Sequence, residues 1–397
     1  MSRPRLEVAD ILRAHGEEYR RRHPASAAQL TVMRHIEQCR TAALGGHIDF
    51  CVGCGRDRNS YNSCRDRHCP KCQGLNKAEW LEARCAKLLP IPYWHVVFTI
   101  PDALNPLALR NKKVVFDILF TTMAETLREF TRDPKHLGAE IGFTAVLHTW
   151  GQNLLFHPHL HCVVTGGGLK SDDSRWISTS PKFFLPVEAL GLVFCGKFLD
   201  ALDVARDSGK LEFVGSTAHL APHKAWRNFL GELPKNWVVY AKAPFAGPEQ
   251  VFRYLGHYTH RVAISNHRLV SMGDGKVTFS WKDYRHGGKR GLMTLNAVEF
   301  IRRFLLHVLP KKFVRIRHFG LLSSRNIFSK LARARDLLSS RADPTSPQPR
   351  PKRLPLPWWQ RLFALTGIDV FLCPFCKVGR LVRRPLPPIR TAAARAP

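Results

Sequence analysis

Three observations predict an α+β fold with a cysteine-rich module near the N-terminus. From about residue 90 onward, apolar segments of strand length alternate with amphipathic segments of helical length. Residues 39–77 are rich in Cys, Gly, Arg and Asn and have too few apolar side chains for a core of their own. The 397-residue chain is nevertheless 45% hydrophobic, which suffices for a sizeable folded body. Because strands and helices occur in mixed order, we expect sheets with helices packed on one face.

The individual elements follow from the apolar periodicity. Helices are predicted within residues 1–38, in two amphipathic stretches, and then at 113–130, 187–204, 248–261 and 296–308. Strands are predicted at 94–100, 142–148, 160–165 and 237–241, and a hairpin at 269–271 and 277–281. Ser, Pro and Arg dominate residues 339–357, which is typical of a semi-rigid linker.

This reading divides the chain into three parts. Residues 1–88 form a helical and cysteine-rich domain, and residues 89–325 form the main α+β domain. Residues 326–397 form a basic, Pro-rich linker and a C-terminal tail with one Cys-x-x-Cys pair.

The charge balance predicts a polyanionic partner. Lys and Arg number 61 against 31 Asp and Glu, a formal net charge of +30. Such an excess most often serves nucleic acid, although membrane-surface attachment or a ribosomal context would need the same charge. The sequence has no apolar run of about 20 residues and no secretory signal at its start. We therefore expect a cytoplasmic protein without a membrane partner.

Six of the eleven cysteines fall between Cys39 and Cys72. Two Cys-x-x-Cys pairs, Cys51/Cys54 and Cys69/Cys72, are separated by fourteen residues, a spacing typical of a four-thiolate zinc site. Free or disulfide-bonded cysteines are the alternative, and a reducing compartment disfavours disulfides. Structural zinc would replace the missing apolar core of this segment.

A second zinc ion has its own candidate ligands. These interleave with the two pairs and are Cys39, His47, Cys64 and His68. Alternatively, they pack and form hydrogen bonds around a single zinc. Cys373 and Cys376 form a further Cys-x-x-Cys pair with no second pair downstream. They could bind a metal with ligands elsewhere in the chain or bind nothing, and two lone cysteines more often bind nothing. Five basic residues of the cysteine-rich segment could contact DNA: Arg56, Arg58, Arg65, Arg67 and Lys71.

The segment His157-Pro158-His159-Leu160-His161 predicts a divalent metal site. In a strand, residues i and i+2 share a face, so His159 and His161 would point together. A turn near Asn153-Leu154 would place His148 opposite His159, which makes His148 the best third ligand. Gln152, His157 and His257 are the other candidates for that position. Histidines that are hydrogen-bonded in a loop, or that hold a structural zinc, would give the same pattern.

Tyr254 and Tyr258 are spaced i and i+4 on a predicted helix, so that their phenols share one face. A free phenol has a pKa of about 10 and is a poor nucleophile at neutral pH. A metal that polarises a phosphate and favours phenolate makes its attack feasible. The product would be a 5′-phosphotyrosine with a free 3′-OH. Alternatively, either tyrosine only packs. Phosphates could be neutralised by nearby Arg261, Arg268, Lys282 and Arg285.

Taken in order, these motifs resemble a known family. They are Ser63-Cys64-Arg65-Asp66-Arg67-His68-Cys69-Pro70-Lys71-Cys72, then His157-Pro158-His159-Leu160-His161-Cys162, then Tyr254-Leu255-Gly256-His257-Tyr258-Thr259-His260-Arg261-Val262-Ala263-Ile264-Ser265-Asn266. The combination is similar to the rolling-circle transposases of the insertion-sequence 91 family, which are two-tyrosine HUH nucleases. The resemblance covers residues 10–325.

The resemblance implies a ferredoxin-like HUH nuclease core, an antiparallel sheet with helices, behind a helical and zinc-binding N-terminal domain. It also implies structural Zn²⁺, a catalytic Mg²⁺ or Mn²⁺ on His159 and His161, and Tyr254 and Tyr258 as nucleophiles. Some relatives keep only the tyrosine that matches Tyr258. Single-stranded DNA at element ends would be the substrate, in the nucleoid of a prokaryotic cell.

The hypothesis from sequence is therefore a DNA strand transferase that nicks and rejoins the ends of an insertion sequence. A rolling-circle replication initiator or a conjugative relaxase would use the same chemistry for a different biological process. A non-enzymatic zinc-ribbon nucleic-acid binder would share only the charge and the cysteines.

Overall fold

The computed structural model describes residues 4–85, 87–242, 256, 263–283, 287–340 and 356–389. Its helices, in chain order, are α1 Val8–Arg22, α2 Ala27–Gln38, α3 Gly74–Cys85, α4 Asn105–Arg110, α5 Lys112–Arg132, α6 Val187–Asp207, α7 His223–Glu232, α8 Ala297–Leu306, α9 Lys330–Ser339 and α10 Trp358–Thr366. Its strands are β1 Gly46–Cys51, β2 Asp57–Tyr61, β3 Tyr93–Thr99, β4 Glu140–Trp150, β5 Phe156–Leu169, β6 Trp176–Ser178, β7 Val239–Lys242, β8 Leu269–Gly273, β9 Lys276–Asp283, β10 Lys289–Asn296, β11 Ile316–Gly320 and β12 Leu381–Leu386.

The strands form three antiparallel sheets. The largest has the order β11-β4-β5-β3-β7, with β6 paired to β5, so that β5 is an inner strand. A second sheet has the order β10-β9-β8, and the third has the order β12-β1-β2. The third sheet joins strands from the two ends of the chain.

One face of the large sheet carries the main core. Apolar residues alternate along β3, β4 and β5, and those of one parity pack against α5 and α6. Phe98 of β3, for example, meets Phe194 of α6 edge to face, with ring centroids 5.1 Å apart. The opposite face is covered in part by α3 and α9, through a smaller cluster that includes Tyr93, Val163 and Leu331.

The N-terminal helices share a core with the second sheet. The start of α2 is fixed by a capping box in which Ser26 and Gln29 bond each other's backbone amides. Ile11 of α1 and Met33 of α2 are fully buried together with Phe279 of β9 and Phe300 of α8. Apolar packing therefore crosses the predicted boundary at residue 88.

The structure confirms a mixed α/β architecture with antiparallel sheets, as predicted. The two N-terminal helices, the helices at 113–130, 187–204 and 296–308, and the strands at 94–100, 142–148, 237–241 and 269–281 lie where the periodicity placed them, within a few residues. The strand predicted at 160–165 is longer, because β5 starts at Phe156 and ends at Leu169. Sequence analysis missed strands β1, β2, β6, β10, β11 and β12.

Two predicted segments lie largely outside the described residues. Of the helix predicted at 248–261, only Gly256 is described, and the linker predicted at 339–357 falls mostly in the gap at 341–355. Within the described part of the chain, no helix is both long enough and apolar enough to cross a membrane.

Candidate functional site

Two adjacent strands bring three of the predicted metal ligands together. His148 of β4 pairs directly with His159 of β5, across a turn at residues 151–155. Because side chains alternate along a strand, His159 and His161 share the face on which His148 lies. One ring nitrogen from each of the three histidines lies within 4.8 Å of the other two. This geometry is the one that the sequence predicted from a turn near Asn153-Leu154.

The hydrogen bonds of the imidazoles fix which nitrogens face each other. His159 Nδ1 lies 2.7 Å from the carbonyl oxygen of His157, so Nδ1 carries the proton and donates it. His159 Nε2 then presents a lone pair, and it lies 3.1 Å from His161 Nε2. Two imidazole ligands about 2.0–2.1 Å from one ion are about 3 Å apart. The donor set therefore fits a divalent metal.

His95 is a functional candidate that sequence analysis missed. It lies on β3, the strand next to β5 on the side away from β4, and its Nε2 is 2.8 Å from His161 Nδ1. If His161 binds a metal through Nε2, its Nδ1–H donates to His95, which fixes the ring orientation of the ligand. The two residues are 66 positions apart, and only the β3–β5 pairing brings them together.

Burial keeps this histidine cluster neutral. His148 is only 2% exposed, and burial lowers its pKa well below the usual value, as it does for His161. Burial also lowers the pKa of His159 to about 4, with a further contribution from His157, and the pKa of His95 to about 4, with a further contribution from Lys242. A neutral imidazole is the form that binds metal, so these residues are in the ligating state at neutral pH.

The turn between β4 and β5 is held by side chains from distant elements. Leu154, which adopts a left-handed backbone conformation with φ 63°, is fully buried. Its carbonyl oxygen accepts a hydrogen bond of 3.1 Å from His307 Nε2. Arg268 and Arg303 donate to the carbonyl oxygens of residues 152 and 153. Arg268 also donates to the carbonyl oxygen of Ser280 on β9. This side chain, predicted from sequence to contact phosphate, therefore links the β4–β5 turn to β9.

The other candidates for the third ligand are placed differently. His157 faces Asp102, with Nδ1 3.4 Å from a carboxylate oxygen. The carbonyl of Gln152 accepts from Arg268. His257 lies outside the described residues.

Four cysteines from the N-terminal region form the first cysteine cluster, which consists of Cys39, Cys64, Cys69 and Cys72. Sγ of Cys39 lies 3.2 Å from that of Cys72 and 3.8 Å from that of Cys69, and the Cys64 and Cys72 sulfurs are 3.6 Å apart. Hydrogen bonds with Cys64 and Cys69 lower the pKa of Cys39 to about 7, which favours the thiolate that binds metal. Four thiolates at these distances fit a structural zinc site.

The second cysteine cluster consists of Cys51, Cys54, Cys373 and Cys376. The sequence grouped Cys51 and Cys54 with Cys69 and Cys72, and the structure instead separates the two pairs. It also brings Cys373 and Cys376, whose role the sequence left open, into a four-cysteine group. The spacing of a Cys-x-x-Cys knuckle is local, and it does not say which second knuckle completes the site.

The two histidines proposed as ligands of a second zinc lie outside both clusters. His47 Nε2 is 3.4 Å from Asp49 Oδ1, on β1. His68 is held by Asp66 through Nδ1, and its Nε2 accepts from the Leu309 amide at 3.3 Å. His68 thus joins the cysteine-rich segment to the residues before β11. The group predicted as Cys39, His47, Cys64 and His68 is therefore corrected to the all-cysteine first cluster.

The predicted DNA-contacting residues divide into two kinds. Arg67 donates to the carbonyl oxygens of residues 310 and 313, and Lys71 forms a 2.7 Å ion pair with Glu7, so both serve internal contacts. Arg56, Arg58 and Arg65 are exposed. Arg58 lies 3.4 Å from Asp49, and Arg56 lies over the Phe375 ring. Arg261 is outside the described residues.

The two predicted nucleophiles, Tyr254 and Tyr258, lie outside the described residues, but Gly256 between them is described and buried. A Cβ atom at Gly256 would lie 2.6 Å from Cδ2 of Leu81 in α3. Leu81 in turn packs against the cluster that contains Val163, two residues beyond His161 on β5. Gly256 is therefore in close contact with the helix that covers the histidine-bearing face of the sheet.

These features define a strongly basic α/β protein with two four-cysteine clusters and a three-histidine centre. Comparison with known proteins gives matches to transposases. Residues 142–328 match the family model described as “Putative transposase”, and residues 11–100 match the “Transposase zinc-binding domain” of the IS91 type. The chain is 54% identical over 384 residues to “Putative transposase y4qJ” of Sinorhizobium fredii, with 96% of each chain covered.

A more distant relative carries an insertion-sequence name. The chain is 28% identical over 342 residues to the “Transposase for insertion sequence element IS801” of Pseudomonas savastanoi pv. phaseolicola, covering 85% of this chain and 79% of that protein. No solved structure gives a significant match. The chain belongs to the IS91 family of transposases.

Replacing His95 by Ala should weaken divalent metal binding at the histidine cluster by about 10- to 100-fold, because His161 loses the acceptor that orients it. The measurement is Mn²⁺ affinity by titration calorimetry or by the electron paramagnetic resonance signal of free Mn²⁺. His318→Ala is the matched control, since His318 is hydrogen-bonded to Thr144 on the same sheet face but is not part of the cluster. Equal affinities for the His95 variant and the parent would contradict this role.

The unfolding free energy should fall as the pH is lowered from about 6.5 to about 4. Burial lowers the pKa of His318 to about 4 and that of His307 to about 3, so in this window the unfolded chain binds more protons than the folded chain. Urea unfolding across the window measures the slope. His318→Gln should reduce it by up to about 1.4 kcal/mol per pH unit. The exposed His219→Gln should leave it unchanged, and identical slopes for both variants would refute the argument.

Proposed function

We propose that this transposase nicks and rejoins single-stranded DNA at insertion-sequence ends through a 5′-phosphotyrosine intermediate, and so drives rolling-circle transposition. The observation that carries the proposal is the convergence of three neutral imidazoles on an inner strand pair of the large sheet. A three-nitrogen centre leaves coordination positions for phosphate oxygens. The family membership makes DNA the partner that fits the net charge of +30.

The connectivity of the large sheet supports an HUH-type, ferredoxin-like core. Apart from the short elements α4, β6 and α7, the order along the chain is β3-α5-β4-β5-α6-β7, a β-α-β-β-α-β arrangement. In the sheet these four strands lie in the order β4-β5-β3-β7, all antiparallel, with α5 and α6 on one face. The histidines lie on β4 and β5, on the face opposite the two helices. The β11 strand extends the sheet beside β4.

His148, His159 and His161 would hold the divalent ion, with His95 behind His161. Of the two ions considered, Mn²⁺ suits nitrogen ligands better, because Mg²⁺ prefers oxygen ligands and keeps its water. A bound ion would polarise a non-bridging phosphate oxygen and offset the developing negative charge. The protein supplies rigid, neutral ligands, because the imidazoles are buried and their tautomers are set by the His157 carbonyl and by His95.

In the proposed reaction, Tyr258 is the nucleophile and Tyr254 is the second. The phenolate oxygen of Tyr258 attacks phosphorus, the bond from phosphorus to the 3′ oxygen breaks, and the 5′ end remains on the tyrosine. A free 3′-OH can later attack the same phosphorus and release the tyrosine, so that no external energy source is needed. Two tyrosines would allow two successive transfers. The contact between Gly256 and Leu81 supports this arrangement, since Leu81 lies in the layer against the histidine face.

Changing Tyr258 to Phe should abolish the covalent adduct with single-stranded element-end oligonucleotides in Mn²⁺, because the variant lacks the attacking oxygen. The readout is a protein–DNA band that survives a denaturing gel. Binding of the same oligonucleotide, measured by fluorescence anisotropy, should be retained. Tyr254→Phe is the matched variant: it keeps the first adduct if Tyr258 acts first. His159→Ala should also lose the adduct.

The same assay separates the alternatives. If the Tyr258 variant formed the adduct as readily as the parent, the strand-transfer proposal would be wrong, and a zinc-ribbon nucleic-acid binder would remain. A replication initiator or relaxase would form the adduct on an origin sequence in preference to an element end. The parent should therefore be offered both oligonucleotides in competition.

Gly256→Ala should reduce adduct formation at least about tenfold, because a new methyl group 2.6 Å from Leu81 Cδ2 must push Gly256 and the Leu81 side chain apart, and Gly256 lies between the two tyrosines in sequence. Leu81→Ala opens space at that point, so the double variant should recover part of the activity. Gly196→Ala is the control, since a Cβ at this helical glycine meets nothing within 4 Å. If the Leu81 change gave no recovery, the contact would not position the tyrosines.

A further inference from the structure

The second cysteine cluster joins two Cys-x-x-Cys segments from opposite ends of the chain. Cys51 and Cys376 are 325 residues apart in sequence, and their Sγ atoms lie 3.7 Å apart. Cys54 and Cys373 are 319 residues apart, and their Sγ atoms lie 3.8 Å apart. Four sulfurs around one point, supplied by two tight turns, are the arrangement of a structural metal site.

The sulfur–sulfur distances discriminate between bonding modes. Four thiolates at about 2.3 Å from a tetrahedral zinc ion lie about 3.8 Å from each other. A disulfide requires about 2.0 Å. The observed 3.7 and 3.8 Å therefore fit a common metal ion and do not fit disulfides.

Both segments have the backbone of a metal knuckle. In the first, the Gly55 amide donates to the Cys51 carbonyl, and the Cys54 amide points to Cys51 Sγ at 3.5 Å. In the second, the Lys377 amide donates to the Cys373 carbonyl, and the Gly379 amide points to Cys376 Sγ at 3.2 Å. Gly55 and Lys377 each adopt a positive φ, of 71° and 59°. Amide donors near the sulfur stabilise the thiolate.

Two glycines allow the knuckles to approach each other. A Cβ atom at Gly53 would lie 3.2 Å from the Cα atom of Gly379. A Cβ atom at Gly379 would lie 2.5 Å from Cys51 Sγ. A side chain would be tight at Gly53 and would clash at Gly379, so glycine at both positions allows the two backbones to pack closely.

We propose that the second cysteine cluster binds one structural zinc ion, which fastens the C-terminal tail to the N-terminal cysteine-rich region. The transposase zinc-binding domain matched at residues 11–100 contains only half of these ligands. The zinc lies at one end of the three-stranded sheet, where β12 adds to β1 and Cys51 pairs with Leu381. The site is separate from the first cysteine cluster and from the histidine centre.

Polar contacts outside the cysteine cluster also join the C-terminal tail to the N-terminal region. Arg383 of β12 donates to the buried carboxylate of Asp49 on β1 at 3.0 Å. Arg361 of α10 lies 3.5 Å from Glu82 of α3, which leads into the main body. These polar contacts are few and partly exposed, so alone they hold the tail weakly. A bound zinc ion would stabilise this small sheet in place of an apolar core.

The test is the zinc content of the purified full-length protein, measured by inductively coupled plasma mass spectrometry. The variant pairs Cys51→Ser/Cys54→Ser and Cys373→Ser/Cys376→Ser should each lose one zinc equivalent per chain relative to the parent. The variant with all four changes should also lose only one, because the pairs share one ion. Cys85→Ser, outside both clusters, is the control and should keep the zinc content of the parent.

Two results would overturn the proposal. One is full zinc retention when Cys373 and Cys376 are replaced, as expected if Cys51 and Cys54 bind zinc with Cys69 and Cys72. The other is a loss of two equivalents in the four-cysteine variant. If the serine variants fail to fold, Cys376→His gives an independent answer: it should retain the zinc, and after cobalt substitution its absorption should shift from a four-sulfur to a three-sulfur, one-nitrogen spectrum. An unchanged cobalt spectrum contradicts the assignment.

Discussion

The antiparallel register between β4 and β5 is the constraint on which the histidine centre depends. Pairing of His148 with His159 sets three imidazoles side by side, and a shift of one residue would move His159 and His161 to the face covered by α5 and α6. Core packing and the turn both fix this register. Leu160 and Cys162, between and after the histidines, are fully buried against the helices. The turn is fixed by His307, which also bonds Thr149.

Burial and hydrogen bonding then determine the chemistry of the centre. A histidine that is exposed is partly protonated near neutral pH and competes poorly for a metal. Here burial keeps the rings neutral, and the carbonyl of residue 157 and the ring of His95 each occupy a Nδ1 atom. The Nε2 atoms are thereby turned towards one another. The arrangement costs stability in acid, since the same burial opposes protonation, and this cost would accompany the metal site proposed above.

The sequence predicted features that depend on residues close together in the chain. It missed those that depend on which distant segments pair. Alternation along β5 identified His159 and His161 as a pair, and one short turn was enough to add His148. The knuckles at Cys51 and Cys69 were equally recognisable, but nothing within a knuckle specifies its partner, so Cys51 was joined to the wrong pair. The same limit applies to His95, whose role depends on β3 lying beside β5. Strand β12 was missed because it has mostly exposed side chains and is formed through pairing with β1.

Several contacts join the cysteine-rich region to the large sheet. Arg67 and His68, which lie between Cys64 and Cys69 of the first cysteine cluster, bond the backbone at residues 309–313, just before β11. Helix α3 follows the same cluster and covers the histidine-bearing face, where Leu81 meets Gly256. A metal that orders the cysteines of the first cluster would therefore also hold the helix against which Gly256 packs. If the first cysteine cluster binds zinc and the histidine centre is the active site proposed above, the zinc has a structural role in that site as well as any role in holding DNA, because its loss would loosen α3, which covers the histidine-bearing face.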